Sequence, residues 1–128
     1  MKWISAAELA TIHAQVIEQT GGMQGIINPG AVESAIARPF TSFGGVALYP
    51  ELADKVAALI HTIVSFHPFA DGNKRTALVT GDVCLRMNGF RLLPSDEVEA
   101  FFWSIARGEQ SPEAIADWLR KNIQPWEE

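Results

Sequence analysis

The chain has 128 residues, of which 48% are apolar and 20% charged, and it carries a net charge of −5. These values describe one core-forming domain over residues 1–128 and exclude a disordered segment. They also argue against a nucleic-acid partner, which needs a clustered basic face, because Lys and Arg are scattered and the adjacent pairs are Lys74-Arg75 and Arg120-Lys121.

Cys84 stands alone, so no intramolecular disulfide is expected and a reducing compartment fits. Met1 to Ser5 leads into a helix without a signal-peptide core, and no run approaches the ~20 apolar residues of a membrane helix. The expectation is a cytoplasmic protein without membrane contact.

Ser5-Ala6-Ala7-Glu8 has the form of a capping box and opens a helix with Leu9, Ile12 and Val16 on one face, ending at Gly21-Gly22. His13 on that helix reads as structural or surface-placed rather than chemical. Residues 21–27 hold Gly21, Gly22 and Gly25, too many for a helix interior, and read as an ordinary glycine-rich connection. Asn28-Pro29 pairs a capping residue with proline at the first helical position, and the short helix that follows stops at Pro39. Residues 39–50 lack helical periodicity, and Gly44-Gly45 between apolar residues can turn a small hairpin or flap. Phe40, Phe43 and Tyr49 either serve a docking loop or tuck into the core.

From Glu51 to Phe66, Leu52, Val56, Leu59, Ile60, Ile63 and Val64 cover more than one helix face, which predicts a central helix buried on several sides. His61 within it reads as a hydrogen-bonded core histidine. A second long helix runs from Asn73 to Asn88-Gly89, with glycine at its C-terminal end. Ala77, Gly81 and Cys84 share a small face suited to close packing, so Cys84 reads as packing and not as a nucleophile. Phe90 to Pro94 reads as an extended link, Ser95 as the cap of the next helix, and Ser111-Pro112 as the start of the last one. Residues 124–128 read as a tail. With no alternating strand pattern, the fold class is all-α: a compact bundle of about six helices with a possible short β-hairpin flap.

The chemistry concentrates in His67-Pro68-Phe69-Ala70-Asp71-Gly72-Asn73-Lys74-Arg75-Thr76-Ala77. Transfer of a phosphoryl or nucleotidyl group to a hydroxyl needs a base that titrates near neutrality, and His67 supplies one. The transferring phosphate needs its charge met by donors already in place. Asp71 suits a hard divalent cation, and Gly72 lets the backbone turn with its N–H exposed. Asn73 offers an amide, Lys74 a point charge and Arg75 a bidentate fork, all at a helix start where they can converge on one anion. Taken singly, a histidine at a helix end is usually a cap, and Lys-Arg at a helix start is usually solvated. Cations there are unfavourable without an anion, which gives the constellation its meaning.

This stretch resembles the signature loop of the Fic/Doc superfamily. The Fic form reads His-x-Phe-x-Asp/Glu-Gly-Asn-Gly-Arg-x-x-Arg, and the Doc form reads His-x-Phe-x-Asp/Asn-Ala/Gly-Asn-Lys-Arg-Thr-Ala. Every specified position of the Doc form is filled, and Gly30 to Pro39 and Phe43 to Pro50 extend the likeness over essentially the whole chain. The resemblance implies His67 as general base, Asp71 as Mg²⁺ ligand, and Gly72, Asn73, Lys74 and Arg75 as the cradle for the phosphates of ATP. It also implies Phe69 as the loop's core anchor and a substrate-docking flap at Phe43, Gly44, Gly45 and Val46.

Fic members move AMP from ATP to a protein hydroxyl. The Doc branch instead implies a toxin of a toxin–antitoxin system that phosphorylates a threonine of elongation factor Tu, held in check by an antitoxin of the Phd type that binds as a helix. Lys74 in place of glycine and Leu78 in place of the second arginine favour Doc-type phosphoryl transfer with a differently placed nucleotide. Pro68 and Gly72 are Fic-like, which keeps AMP transfer open as the alternative. An idle partner-binding module is the third reading, and the intact set of His67, Asp71, Asn73 and Arg75 counts against it. The inhibitory pattern Ser/Thr-x-x-x-Glu-Gly/Asn of many Fic chains has no match, since Ser95 to Glu99 is followed by Ala100.

Overall fold

A computed structural model describes residues 1–127. Its elements are α1 (Ala6–Thr20), α2 (Pro29–Ala37), a 3-10 turn (Arg38–Phe40), β1 (Ser42–Phe43), β2 (Val46–Ala47), α3 (Leu52–Phe66), α4 (Asn73–Met87), β3 (Phe90–Leu92), α5 (Glu97–Ala106), α6 (Pro112–Asn122) and β4 (Ile123–Pro125). The architecture is the expected helical bundle, with six helices among the described residues. None is long and apolar enough to cross a membrane.

The helix starts follow the local chemistry. Ser5 Oγ accepts from Glu8 N–H while Glu8 returns the bond to Ser5 N–H, closing the expected capping box. Asn28 caps α2 through Ala31 N–H. Glu51 and Asp54 form a second reciprocal box at α3, a start that Ser/Thr-based reasoning passes over.

α3 is the central helix, packed by α2, α4, α5 and α6. Its residues Val56, Ala57, Leu59, Ile60, Ile63 and Val64 are buried from several sides. α4 lies close against it because a Cβ at Gly81 would meet Ile60 Cδ1 at 2.9 Å. Cys84 is buried in the same seam, and that burial pushes its thiol up to about 12.

The Gly44-Gly45 hairpin is present, with φ of +58° and +81°, the paired positive values that a two-residue turn of matching twist requires. Phe40 and Phe43 do not enter the core. Phe40 is half-exposed against Trp3, and Phe43 is 82% exposed. Lys55 ties the flap to α3 by donating to the Tyr49 carbonyl, with its ammonium 5.4 Å from the Phe40 ring centroid.

Two readings need correction. Residues 90–94 read as a link and 124–128 as a tail, but β3 and β4 pair antiparallel, Phe90 with Pro125, Arg91 with Gln124 and Leu92 with Ile123, so the tail reading fails at 124 and 125, and at 128 it lies outside the described residues. Three-residue strands are too short to display alternation, and their partners lie a full helix pair apart in sequence. Ser95 is not the cap of α5: Asp96 holds that position, while Ser95 Oγ accepts from Glu97 N–H at 3.2 Å.

Candidate active site

Residues 67–72 form the loop between α3 and α4, and residues 73–77 open α4; the loop is closed on itself and clamped from two sides. The Asn73 amide closes it: Oδ1 accepts from Phe69 N–H at 3.1 Å and Nδ2 donates to Phe69 O at 2.9 Å. Phe69 is buried, anchoring the loop in the core as expected. His13 lies 2% exposed beneath it, stacked on the Phe69 ring at 3.9 Å and 5°, with Nε2 2.8 Å from the Asp71 carbonyl. Its role is structural, and it is the floor of the site.

The glycine-rich segment 21–27 forms the outer clamp. Ala70 N–H donates to Gly25 O, and Ile27 and Asn28 N–H both donate to Pro68 O. Met23 N–H donates to Asp71 Oδ2 at 3.2 Å. What reads in sequence as a connection is therefore a partner of the signature loop.

These clamps support a strained histidine. His67 caps α3 with φ +47° and ψ +64°, the one non-glycine residue with positive φ among those described. For an L-residue this costs roughly 1–2 kcal/mol and persists where neighbours over-determine it, most often at functional sites. The consequence is an exposed imidazole that makes no hydrogen bond among the described residues, at the end of the central helix.

Beside it, α4 begins without a side-chain cap: Gly72 holds the cap position at φ +73°, and the first-turn N–H groups of Asn73, Lys74 and Arg75 have no partner among the described residues. Three free donors at the positive end of a 15-residue helix make an anion cradle. Asp71 flanks it. Its Oδ1 accepts from Gly72 N–H at 2.8 Å and its Oδ2 from Met23 N–H. Those two backbone bonds, Met23 foremost, hold its carboxyl below the usual carboxylate range, so it is ionised.

The side chains do not all converge as the spacing suggested. Arg75 turns back to the end of α1, donating to Thr20 Oγ1 and the Gly21 carbonyl, with Nη2 4.0 Å from Asp71 Oδ1. Lys74 turns the other way, its ammonium 4.0 Å from the centroid of the Trp103 ring on α5. Successive residues of a helix point about 100° apart, so only the backbone N–H groups share one anion. The Asn73 amide is largely taken by Phe69, leaving one Nδ2 hydrogen.

Two cavities lie near the site, one lined by the start of α4 and one by Phe66, the residue before His67. One of about 500 Å³, between α4 and α5, is lined by Lys74, Arg75, Leu78, Glu99, Phe102 and Trp103. The other, of about 530 Å³, lies between α2, α3 and the root of the flap. Sequence reasoning missed Trp103, Gly22 and Arg38; the first signals itself only as an exposed aromatic once the helices are placed.

A helical bundle whose central helix ends in an exposed histidine, next to a bare helix start and an ionised carboxylate, defines a Fic/DOC-type chain, and residues 3–85 match the Fic/DOC family. The chain belongs to that family, on its Doc branch. It is 34% identical over 124 residues to the Protein kinase doc of Escherichia phage P1, covering 94% of this chain and 95% of that protein. It is 38% identical over 79 residues to the Toxin Doc of Mycolicibacterium smegmatis, covering 62% of this chain and 61% of that protein.

Proposed function

We propose that this chain is a Doc-type toxin that transfers the γ-phosphoryl group of Mg-ATP to a Ser or Thr hydroxyl of a translation protein, with elongation factor Tu as the first target to test. An antitoxin of the Phd type, docking as a helix, would hold it in check. The observation that carries this reading is the juxtaposition of the exposed, strained His67 with the uncapped start of α4 and the ionised Asp71.

In the proposed reaction the acceptor oxygen bonds to the γ-phosphorus while the bond to the β–γ bridging oxygen breaks, releasing ADP. The hydroxyl proton passes to the imidazole of His67. The N–H groups of Asn73, Lys74 and Arg75 hold phosphate oxygens, and Gly72 permits the close approach. The cavity between α4 and α5 offers room for a nucleoside.

Asp71 fits a Mg²⁺ ligand: each oxygen takes one backbone N–H and keeps a lone pair, and the carboxylate is half-exposed next to the cradle. Among the described residues no group of three or more His, Cys, Asp and Glu could hold a metal alone, so the ion would be shared with phosphates and water, as Mg²⁺ usually is. When bound it would neutralise phosphate charge.

AMP transfer stands as a second reading on one observation: the Lys74 ammonium lies over Trp103 rather than over the backbone nest, which supports keeping the Fic-like placement of the nucleotide as the alternative. The general-base role is tested with His67→Ala. Transfer of label from ATP to the target should vanish while nucleotide binding, read by calorimetry, is retained. Transfer at the wild-type rate would refute the role.

A further inference from the structure

Arg38, at the C-terminal end of α2, is held by three neutral partners. Its Nε donates to Tyr49 Oη at 3.2 Å, and its Nη1 donates to Thr62 Oγ1 and to His61 Nδ1, each at 3.0 Å. A bond to Nδ1 requires a bare lone pair there, so His61 is neutral with its proton on Nε2. Burial first, and Arg38 second, lower the pKa of His61 against the opposing carboxylate of Glu113 on α6. His61 is thus half-buried and hydrogen-bonded, though not a core residue as its helix position implied.

The arrangement fixes a guanidinium without neutralising it. Arg75, Arg86, Arg107 and Arg120 each have a carboxylate within 4.0 Å, whereas Arg38, like Arg91 beside the Gln124 amide, has none among the described residues. Its Nη2 has no partner there either. A strut between α2, α3 and Tyr49 needs only the three bonds already made. Arg38 is among the residues that line a cavity of about 530 Å³, together with Asn28, Ala31, Ser34, Thr62 and Phe66. Of its lining residues, Phe66 immediately precedes His67 and Asn28 N–H is bonded to Pro68 O, so the cavity lies on the segments that flank the proposed base.

We infer that this cavity is an acceptor-side subsite that takes the carboxylate of an Asp or Glu side chain on the protein substrate, paired to Arg38 Nη2. The inference rests on the reading of His67 as the base that receives that substrate's hydroxyl. A single guanidinium with one open edge matches one carboxylate rather than a run of phosphates. The neighbouring flap exposes Phe43 and Val46, apolar surface suited to a peptide, and the chain's net charge of −5 disfavours a polyanion.

The test uses the full ¹⁵N-labelled chain and short threonine peptides carrying Glu at successive offsets, each with a Gln twin. At one or more offsets the Glu peptide should bind roughly tenfold or more tightly than its twin, because a charge-assisted bond is replaced by a neutral one. The shifts should fall on the amides of Ala31, Thr62 and Phe66 and on Arg38 Nε–H. Arg38→Gln should erase the difference without weakening the Gln peptides. Should that variant fail to fold, the Glu–Gln comparison on the wild type still decides.

Equal affinity at every offset, or no binding by any peptide, overturns the subsite. So does an ATP titration that shifts these signals instead of those at the start of α4. Measuring label transfer on the same peptides separates the two proposals. Transfer without Glu preference overturns the subsite and leaves the kinase. Glu-selective binding without transfer supports the subsite and counts against the kinase.

Discussion

One methyl group at Gly22 should disable the site while leaving the fold standing. Gly22 has φ +119°, and a Cβ there would lie 2.6 Å from Asp71 Oδ2 and 3.2 Å from Ile17 Cδ1. The first distance is shorter than any non-bonded contact allows, so the carboxylate must rotate. It can do so cheaply, since the Asp71 side chain is half-exposed. The backbone cost of alanine at positive φ is about 1–2 kcal/mol. For a domain of this size that lowers the melting temperature by about 3–10 °C.

The functional loss should be larger. Rotation breaks the Met23 N–H bond, the leading cause of the depressed Asp71 pKa, so the carboxyl titration should move back up toward its ordinary range. A carboxylate whose pKa is depressed on folding adds stability above its unfolded pKa and loses it as pH falls through the folded value. The gap in stability between wild type and Gly22→Ala should therefore narrow in acid. Transfer to substrate should drop roughly 10–100-fold, the scale of disturbing a group that orients a metal ligand. The assay is ATP-dependent labelling alongside NMR titration of the Asp71 carboxyl. A wild-type rate together with an unmoved titration would refute the view that the backbone clamp on Asp71 matters.

Asn73→Leu should cost about 2–3 kcal/mol in urea unfolding, because it strips both bonds from the backbone of buried Phe69. An unchanged midpoint would show that the loop is closed by other means. Cys84, with its thiol pushed up to about 12 by burial, should resist a thiol-reactive dye in the folded state at pH 8 and react at once in denaturant. Rapid labelling of the native protein would contradict the packing assigned to it.

Much of this architecture is written locally. The capping box at Ser5, the Asn28-Pro29 start, the many-sided apolar coverage of α3 and the Gly44-Gly45 turn each depend on residues within one helix or one hairpin, and each is present. The signature loop is likewise one unbroken stretch. What escaped depends on distance. His13 meets Asp71 across 58 positions, and Arg75 reaches Thr20 across 55. Nothing in either neighbourhood announces those contacts. The divergence of Lys74 and Arg75 has the same origin: spacing puts them at one helix start, but Trp103 and Thr20, remote in sequence, decide where they point. The β3–β4 pair and the open edge of Arg38 also exist only once remote segments have met.

The central claim, that the γ-phosphoryl group is what moves, is tested most directly by two parallel reactions with ATP labelled at either the α or the γ phosphate. Each contains Mg²⁺, purified elongation factor Tu and this protein, with His67→Ala as the control. γ label alone should appear on the target, and neither label with the variant. α label on the target would contradict phosphoryl transfer and establish AMP transfer in its place.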